Sequence, residues 1–335
     1  MKPSIKQLSL ITGYSPATIS NALNNKQNVN SETGKKIWKV ARETGYINEI
    51  SISNIRLIVC RTHGKVLNDT PFFSSLISGV ESECRAQGFA TIISHLDTTD
   101  PLFDSLLKQI ISDRSAANLV LATELTEAEA GMFLNSESPI VLVDTWFEGM
   151  DFDTVGIENT DSTFKAVTHL INYGHKSIGY LKSNATINNF IYRGYGYRRA
   201  MHGNGLQIHS KYTVLLTPSM EGSYKDMKEY LSGRPELPTA FFADNDNIAL
   251  GACKALQDCG YRIPEDISVI GFDDMPFCEI ATPPLTTVRV FKQVMGEEAV
   301  RRLVQVIKSG KMIKVKTQIC TEFIERESVR NLHIS

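Results

Sequence analysis

The stretch from Ser4 to Asn25 is patterned as a helix-turn-helix, and no other segment constrains the fold as tightly. Ser4 can satisfy an orphan backbone N–H at a helix start. Ile5, Leu8 and Ile11 then recur at helical spacing and predict one apolar face. Gly13 stands where a tight turn needs positive φ. Ser15 is a second N-cap candidate, and Pro16 at the first helical position loses no hydrogen bond. The second helix is predicted from Pro16 to Leu23, with Ile19, Ala22 and Leu23 inward and Ser9 small enough for a close crossing. Its outer face carries Ala17, Thr18, Ser20, Asn21 and Asn24, all short enough to approach a phosphate or a base edge. A third helix is predicted from Ser31 to a cap at Gly45, burying Ile37, Val40 and Ala41, with Trp38 covering the small core.

Charge separates this segment from the rest. Residues 1–48 hold seven basic side chains (Lys2, Lys6, Lys26, Lys35, Lys36, Lys39 and Arg42) against two acids, Glu32 and Glu43. The whole chain carries a formal charge of −2. A basic head on a near-neutral body is the electrostatic footprint of phosphate binding. A helical bundle with a solvated basic face is the competing interpretation.

At 335 residues the chain exceeds one ordinary core, so two or three domains are expected. No apolar run reaches the length of a membrane span, and the first residues lack an apolar signal region, so a cytoplasmic protein is expected. The six cysteines show no Cys-x-x-Cys pair and read as core thiols. From Ile55 onward, short apolar runs alternate with amphipathic stretches. Strands are predicted at 56–60, 89–94, 118–122, 140–144 and 155–157, then at 177–181, 212–216, 239–243 and 268–271. Helices are predicted at 73–87, 102–112, 162–173 and 245–259. This alternation implies an α/β body of two doubly wound parallel sheets, with a ligand between the lobes at the strands' carboxyl ends.

The polar residues at those strand ends follow from that rule. Asp69 to Phe73 follow the first strand, Arg193 opens a helix, and Asn245-Asp246 and Asp273-Asp274 follow two later strands. Carboxylates, a carboxamide and a guanidinium among aromatic rings suit a polyhydroxylated ligand. Alternatives stay open: Asp246 and Asp274 as helix N-caps, Phe72 and Phe73 as core, Arg193 as a structural cation–π partner. The histidines have no metal-ligand spacing. The chain also lacks a phosphate-binding loop of the Gly-x-x-x-x-Gly-Lys type, a Gly-x-Ser-x-Gly elbow and a dinucleotide fingerprint after a strand. No catalytic residue, metal or cofactor is therefore expected.

At Gly13-Tyr-Ser-Pro-Ala-Thr-Ile-Ser-Asn-Ala-Leu-Asn the chain resembles the lactose-repressor (LacI/GalR) family of transcription regulators. The resemblance continues through Thr70-Pro-Phe-Phe, His169-Leu-Ile-Asn-Tyr-Gly-His, Asn245-Asp, Ile263-Pro-Glu-Asp-Ile-Ser-Val-Ile-Gly-Phe-Asp-Asp and Pro283-Pro-Leu-Thr-Thr-Val. It implies an N-terminal three-helix DNA-binding domain followed by a two-lobed, type I periplasmic-binding-protein-like core in a homodimer. It also implies effector contacts at Phe72, Phe73, Asp161, Arg193, Asn245 and Asp273. On the DNA side it implies base contacts at Pro16, Ala17 and Asn21, phosphate contacts at Ser15, Thr18, Ser20 and Asn24, and Lys6 at the interface. Asn21 departs from the arginine common in the family; asparagine pairs best with adenine in the major groove. Thr217-Pro218-Ser219 stands where family members often place an aromatic.

The expected domains are 1–48 for the DNA-binding head, 49–55 for a short linker, 56–157 plus 288–316 for the first lobe, and 158–287 plus 317–330 for the second. Family members usually carry about twenty residues of linker with a hinge helix whose leucine wedges into the minor groove. Here nine residues, Ile47 to Ile55, join Tyr46 to the first strand. That is too few for a connector and a stable helix, so the hinge helix is expected to be missing. The resulting expectation is a repressor acting on a near-palindromic operator and modulated by a small effector, a carbohydrate by its pocket pattern. A solute-binding protein with a reduced DNA role is the alternative, and a purine the alternative ligand.

Overall fold

Three helices make up the head in the computed structural model, which describes residues 3–23, 29–44, 46, 52–67, 71–309 and 313–333. They are α1 (Ile5–Thr12), α2 (Pro16–Leu23) and α3 (Ser31–Glu43). Ser4 Oγ accepts from Gln7 N at 3.3 Å while Gln7 Oε1 accepts from Ser4 N at 2.6 Å, a reciprocal cap that starts α1. Gly13, at φ 75°, ends it. Ser9 Oγ donates to Tyr14 O across the turn at 2.6 Å. Ser15 Oγ then accepts from Thr18 N at 3.1 Å and starts α2. Leu8, Ile19, Ala22, Ile37 and Ala41 form the core of the head, and Trp38 Nε1 donates to Ala22 O at 3.1 Å. Ile11 departs from expectation: it is 58% exposed. A step of three residues turns a helix by about 300°, so the apolar face drifts off the core one turn beyond Leu8.

The body forms a second unit. Its chain runs β1 (Asn54–Arg61), α4 (Pro71–Ala86), β2 (Ala90–Asp97), α5 (Phe103–Ser112), β3 (Ala116–Leu121), α6 (Glu127–Gly131), β4 (Ile140–Val143) and β5 (Asp153–Ile157). The expected linker of 49–55 therefore ends inside β1; residues 47–51, and with them the question of a hinge helix, lie outside the described residues. The chain continues with α7 (Asn159–Asn172), β6 (Ile178–Ser183), α8 (Asn188–Gly203), β7 (Thr213–Leu216), α9 (Met220–Ser232), β8 (Ala240–Ala243) and α10 (Asp246–Asp258). It ends with β9 (Ser268–Ile270), α11 (Phe277–Ile280), β10 (Thr287–Arg289), α12 (Lys292–Ser309), β11 (Lys316–Ile319) and β12 (Glu322–Ile324).

Two sheets organise the body. The first has the order β11-β5-β4-β3-β1-β2, with β3, β4, β5 and β11 paired in parallel. The second, β7-β6-β8-β9, is parallel throughout. A short antiparallel pair joins β10 to β12. The inner strands β3, β4, β5 and β8 are buried along their whole length. Continuous apolar runs of this kind are what a sheet covered on both faces requires. The chain crosses between the lobes after β5, before α12 and after β11. The last crossing follows Ile319, because β11 stays paired with β5 through Ile319↔Ile157, so the expected boundary at 316 falls within that strand.

Candidate functional site

The carboxyl ends of the two sheets face one cleft. From the first lobe come Val66, the α4 residues Phe72 and Phe73, Thr123 after β3 and Asp144 after β4. The second lobe contributes Asn189, Phe190 and Arg193 of α8, together with Pro218, Asn245 and Asp273. Five of the six residues expected to contact an effector are thus brought together.

Arg193 is the centre of this arrangement. Its Nε donates to Asn159 Oδ1 at 2.9 Å, its Nη1 to the Asp244 carbonyl, and its Nη2 to Asp273 Oδ1 at 3.2 Å. The guanidinium lies 3.7 Å over the Phe272 ring, a cation–π contact that supports its plane. Asn159 in turn donates to Asn189 Oδ1 at 3.0 Å. Asp273 sits at φ 115°, and burial raises its carboxyl despite the opposing pull of Arg193 and Lys292.

Two groups have hydrogen-bonding capacity left over. Asn245 caps α10, its Oδ1 accepting from Ile248 N at 3.0 Å, so its amide nitrogen is available to the cleft. Asp144 accepts from Thr123 Oγ1 at 2.6 Å through Oδ2, while its buried Oδ1 makes no hydrogen bond of ordinary geometry and has the Asn189 side chain as its nearest stabilising neighbour. Burial pushes this carboxyl up to about 6. A buried acceptor without a partner is costly and marks a place where a ligand donor would be stabilising.

Glu124 prepares one wall. Its carboxylate accepts the backbone N–H groups of Thr62, His63, Gly64, Val66 and Leu67 at 2.8–3.1 Å. Those bonds outweigh burial and lower its pKa. The loop that presents Val66 is thereby tied to the end of β3.

Other sequence expectations need correction. Asp161 is not in the cleft; its exposed carboxylate pairs with Arg199. The reason is that α7 begins at Asn159, before the predicted start at Ser162. Two helical steps, about 200°, put Asp161 on the opposite face from the buried Asn159. Arg193 lies within α8 rather than at its start. Asn245, not Asp246, is the cap of α10. Asp246 is buried, accepting from Met275 N at 2.8 Å and Thr287 Oγ1 at 2.6 Å. Asp274 pairs with Arg289 at 2.7 Å and Arg326 at 2.8 Å. Asp69 lies outside the described residues. Pro218 reaches the cleft at the position where an aromatic was expected. Thr123, Asp144 and Asn189 were not anticipated, although Asp144 obeys the same strand-end rule.

In the head, Ser15 ahead of α2 and Pro16 and Ala17 in its first turn are exposed, and Thr18, Ser20 and Asn21 are partly exposed beside them. Lys6 is exposed on α1, and Asn24 lies outside the described residues. Ser15 and Thr18 hydroxyls share a hydrogen bond of 2.8 Å at the start of α2.

A basic helix-turn-helix head followed by two parallel-sheet lobes around a polar cleft defines a DNA-binding regulator with a periplasmic-binding-protein-like body. Residues 4–49 match the bacterial regulatory proteins of the lacI family, and residues 167–329 match the periplasmic binding protein-like domain. The chain thus joins a head that matches the lacI family of bacterial regulatory proteins to a body that matches the periplasmic binding protein-like domain. It is 28% identical over 331 residues to the HTH-type transcriptional repressor PurR of Pasteurella multocida (strain Pm70), covering 98% of this chain and 99% of that protein. Its fold is similar to that of the transcriptional regulator CelR in complex with cellobiose (TM-score 0.74, 23% identity, 98% of this chain and 100% of that one). It is also similar to the lac repressor dimer bound to operator and the anti-inducer ONPF (TM-score 0.72, 20% identity, the same coverage). Among the described residues, no helix is long and apolar enough to cross a membrane and no group of His, Cys, Asp and Glu could hold a metal ion.

Proposed function

We propose that this chain is a cytoplasmic, non-enzymatic transcriptional repressor whose hold on operator DNA is changed by a small effector seated between the lobes. The observation that carries the reading is the cleft around Arg193. A charge pair with Asp273 is already braced there, while Asn245 and Asp144 retain unused hydrogen-bonding capacity toward the same space. The effector is a small carbohydrate: spaced carboxylate, carboxamide and guanidinium groups address hydroxyls, and Phe72, Phe73 and Phe190 cover apolar ring faces. The likeness to PurR repressors over nearly the whole chain favours a purine as the second reading.

DNA recognition is assigned to α2, with Asn21 paired to an adenine edge and Pro16 and Ala17 in apolar contact with bases. Ser15, Thr18, Ser20, Asn24 and Lys6 address the backbone. A two-fold dimer places two such helices on a near-palindromic site. A thermal-shift screen of monosaccharides, disaccharides and nucleobases tests the effector, since a ligand of the native state raises the melting temperature. A sugar hit that Phe73→Ala weakens supports the carbohydrate; stabilisation by bases alone selects the purine. Selection from random DNA tests the operator, and failure to enrich an inverted repeat refutes the dimeric site.

A further inference from the structure

A second cavity lies wholly within the second lobe, between the β6–β7 face and α8, with a volume of about 520 Å³. That size falls among small-molecule sites. Its origin is local. Tyr180↔Thr213 and Lys182↔Leu215 are paired in parallel register, so all four side chains point to one face of the sheet. Toward the back of that face, Tyr197 of α8 stacks on Tyr180 with ring centroids 4.9 Å apart and closes the space. One turn earlier α8 has Gly194, whose missing side chain opens it. The edge strand β7 leaves Leu215 61% exposed, and Tyr195 on α8 is 47% exposed.

Charge identifies the occupant. Lys182 and Arg198 line the cavity, and no carboxylate lines it among the described residues. Neither cation forms an ion pair among the described residues: the nearest carboxylate acting on Lys182 is that of buried Asp244, behind Tyr180, and the Arg198 guanidinium lies 4.9 Å from the Tyr195 ring centroid. The start of α8 has no acidic residue and no side-chain cap, and Ile187 at that end is part of the wall. A guanidinium fork and an ammonium together suit a dianion. The tyrosines suit a flat or apolar body attached to it.

We propose that this cavity is a binding site for a small organic phosphate, separate from the cleft around Arg193. Ile187 and Phe190 line both spaces, so an occupant of the second would press on the same turn of α8 that borders the first. The site stands independently of the effector's identity, because its cations and its opening belong to one lobe.

The test is calorimetric titration of the full chain with phenyl phosphate and, separately, with phenol. Phenyl phosphate is expected to bind at millimolar concentration or below, and phenol at least about tenfold more weakly, a difference of about 1.4 kcal/mol. Lys182→Gln combined with Arg198→Gln, both exposed positions, is expected to reduce phenyl phosphate affinity at least tenfold with the melting temperature unchanged. Gly194→Leu fills the opening; a Cβ there meets only ordinary contacts, 3.5 Å from Arg198 and 3.6 Å from Tyr180, and binding is expected to vanish. Equal affinity for phenol, unchanged binding by the double variant, or loss in Phe73→Ala instead would each overturn the site.

Discussion

Arg193 has almost no contact with water, its side chain being 4% exposed, yet it joins three parts of the second lobe: Asn159, the Asp244 carbonyl and Asp273. Removing one partner of a buried ion pair leaves the other uncompensated, which costs about 3–5 kcal/mol. Arg193→Met is therefore expected to lower stability by about that amount in urea denaturation, and to abolish effector stabilisation in conditions where the variant is folded. Retained effector binding would separate Arg193 from the cleft's function. The buried acids lead to a second expectation. Burial and the nearby Asp273 charge push Asp246 up to about 7, and burial pushes Asp244 up to about 6. Their folded pKa values lie above those of the unfolded chain, near 4. Their contribution to stability is thus complete below about pH 4 and is lost as pH rises through 6 to 7. Asp246→Asn, with no proton to lose, is expected to flatten the fall in denaturation midpoint between pH 5 and 8; an unchanged slope would place the dependence elsewhere.

At the scale of elements, α8 is the part on which both cavities depend, and one glycine sets where it lies. A Cβ at Gly196 would stand 2.3 Å from Thr160 O and 2.7 Å from Thr163 Cβ of α7, distances that force the helices apart. Gly196→Ala is expected to cost about 1–3 kcal/mol and, by displacing Arg193 on the same helix, to weaken effector binding more than it weakens binding of operator DNA. Thermal shift and fluorescence anisotropy read the two effects; an equal loss in both would argue against a local displacement. The sequence made much of this level visible. All nine strands expected from apolar runs are present with shifted ends, and the fully buried ones, such as β3, β4 and β8, are the plainest because a sheet covered on both faces requires continuous apolar runs. The short strands β10, β11 and β12 escaped notice. Runs of three or four residues, partly exposed in β11 and β12, carry little periodicity. The site was legible where strand ends determine it, as at Asn245 and Asp273. It was not legible where helix phase determines it: Asp161, expected from the family resemblance, faces away from the cleft, while Asn159 two positions earlier on α7 holds Arg193. Asn189 and Phe190 act through the first turn of α8, whose Ile187 start offers no recognisable cap.

For the molecule as a whole, the decisive quantity is the length of chain between head and body. Ten residues separate the end of α3 at Glu43 from the start of β1 at Asn54, and none of them is leucine. Isolated helices of so few residues are marginal in water, and this segment must also serve as the connector. Minor-groove wedges unstack a base step and kink the duplex by about 20–90°. On the expectation from linker length that no hinge helix forms to present one, the operator is expected to stay close to straight. In that case the signal passes to the heads as a rigid displacement of their tethers rather than as folding and melting of a hinge. Circularly permuted operator fragments measure this directly: the mobility of the complex should not depend on where the site lies in the fragment. Ile50 and Ile52 are the apolar residues best placed in sequence to replace a leucine wedge. Ile50→Ala combined with Ile52→Ala should leave operator affinity within about twofold, whereas loss of an intercalated side chain costs a few kcal/mol. A position-dependent mobility abolished by that double variant would show that a short, leucine-free linker still inserts into DNA, and the proposed route of coupling would have to be replaced.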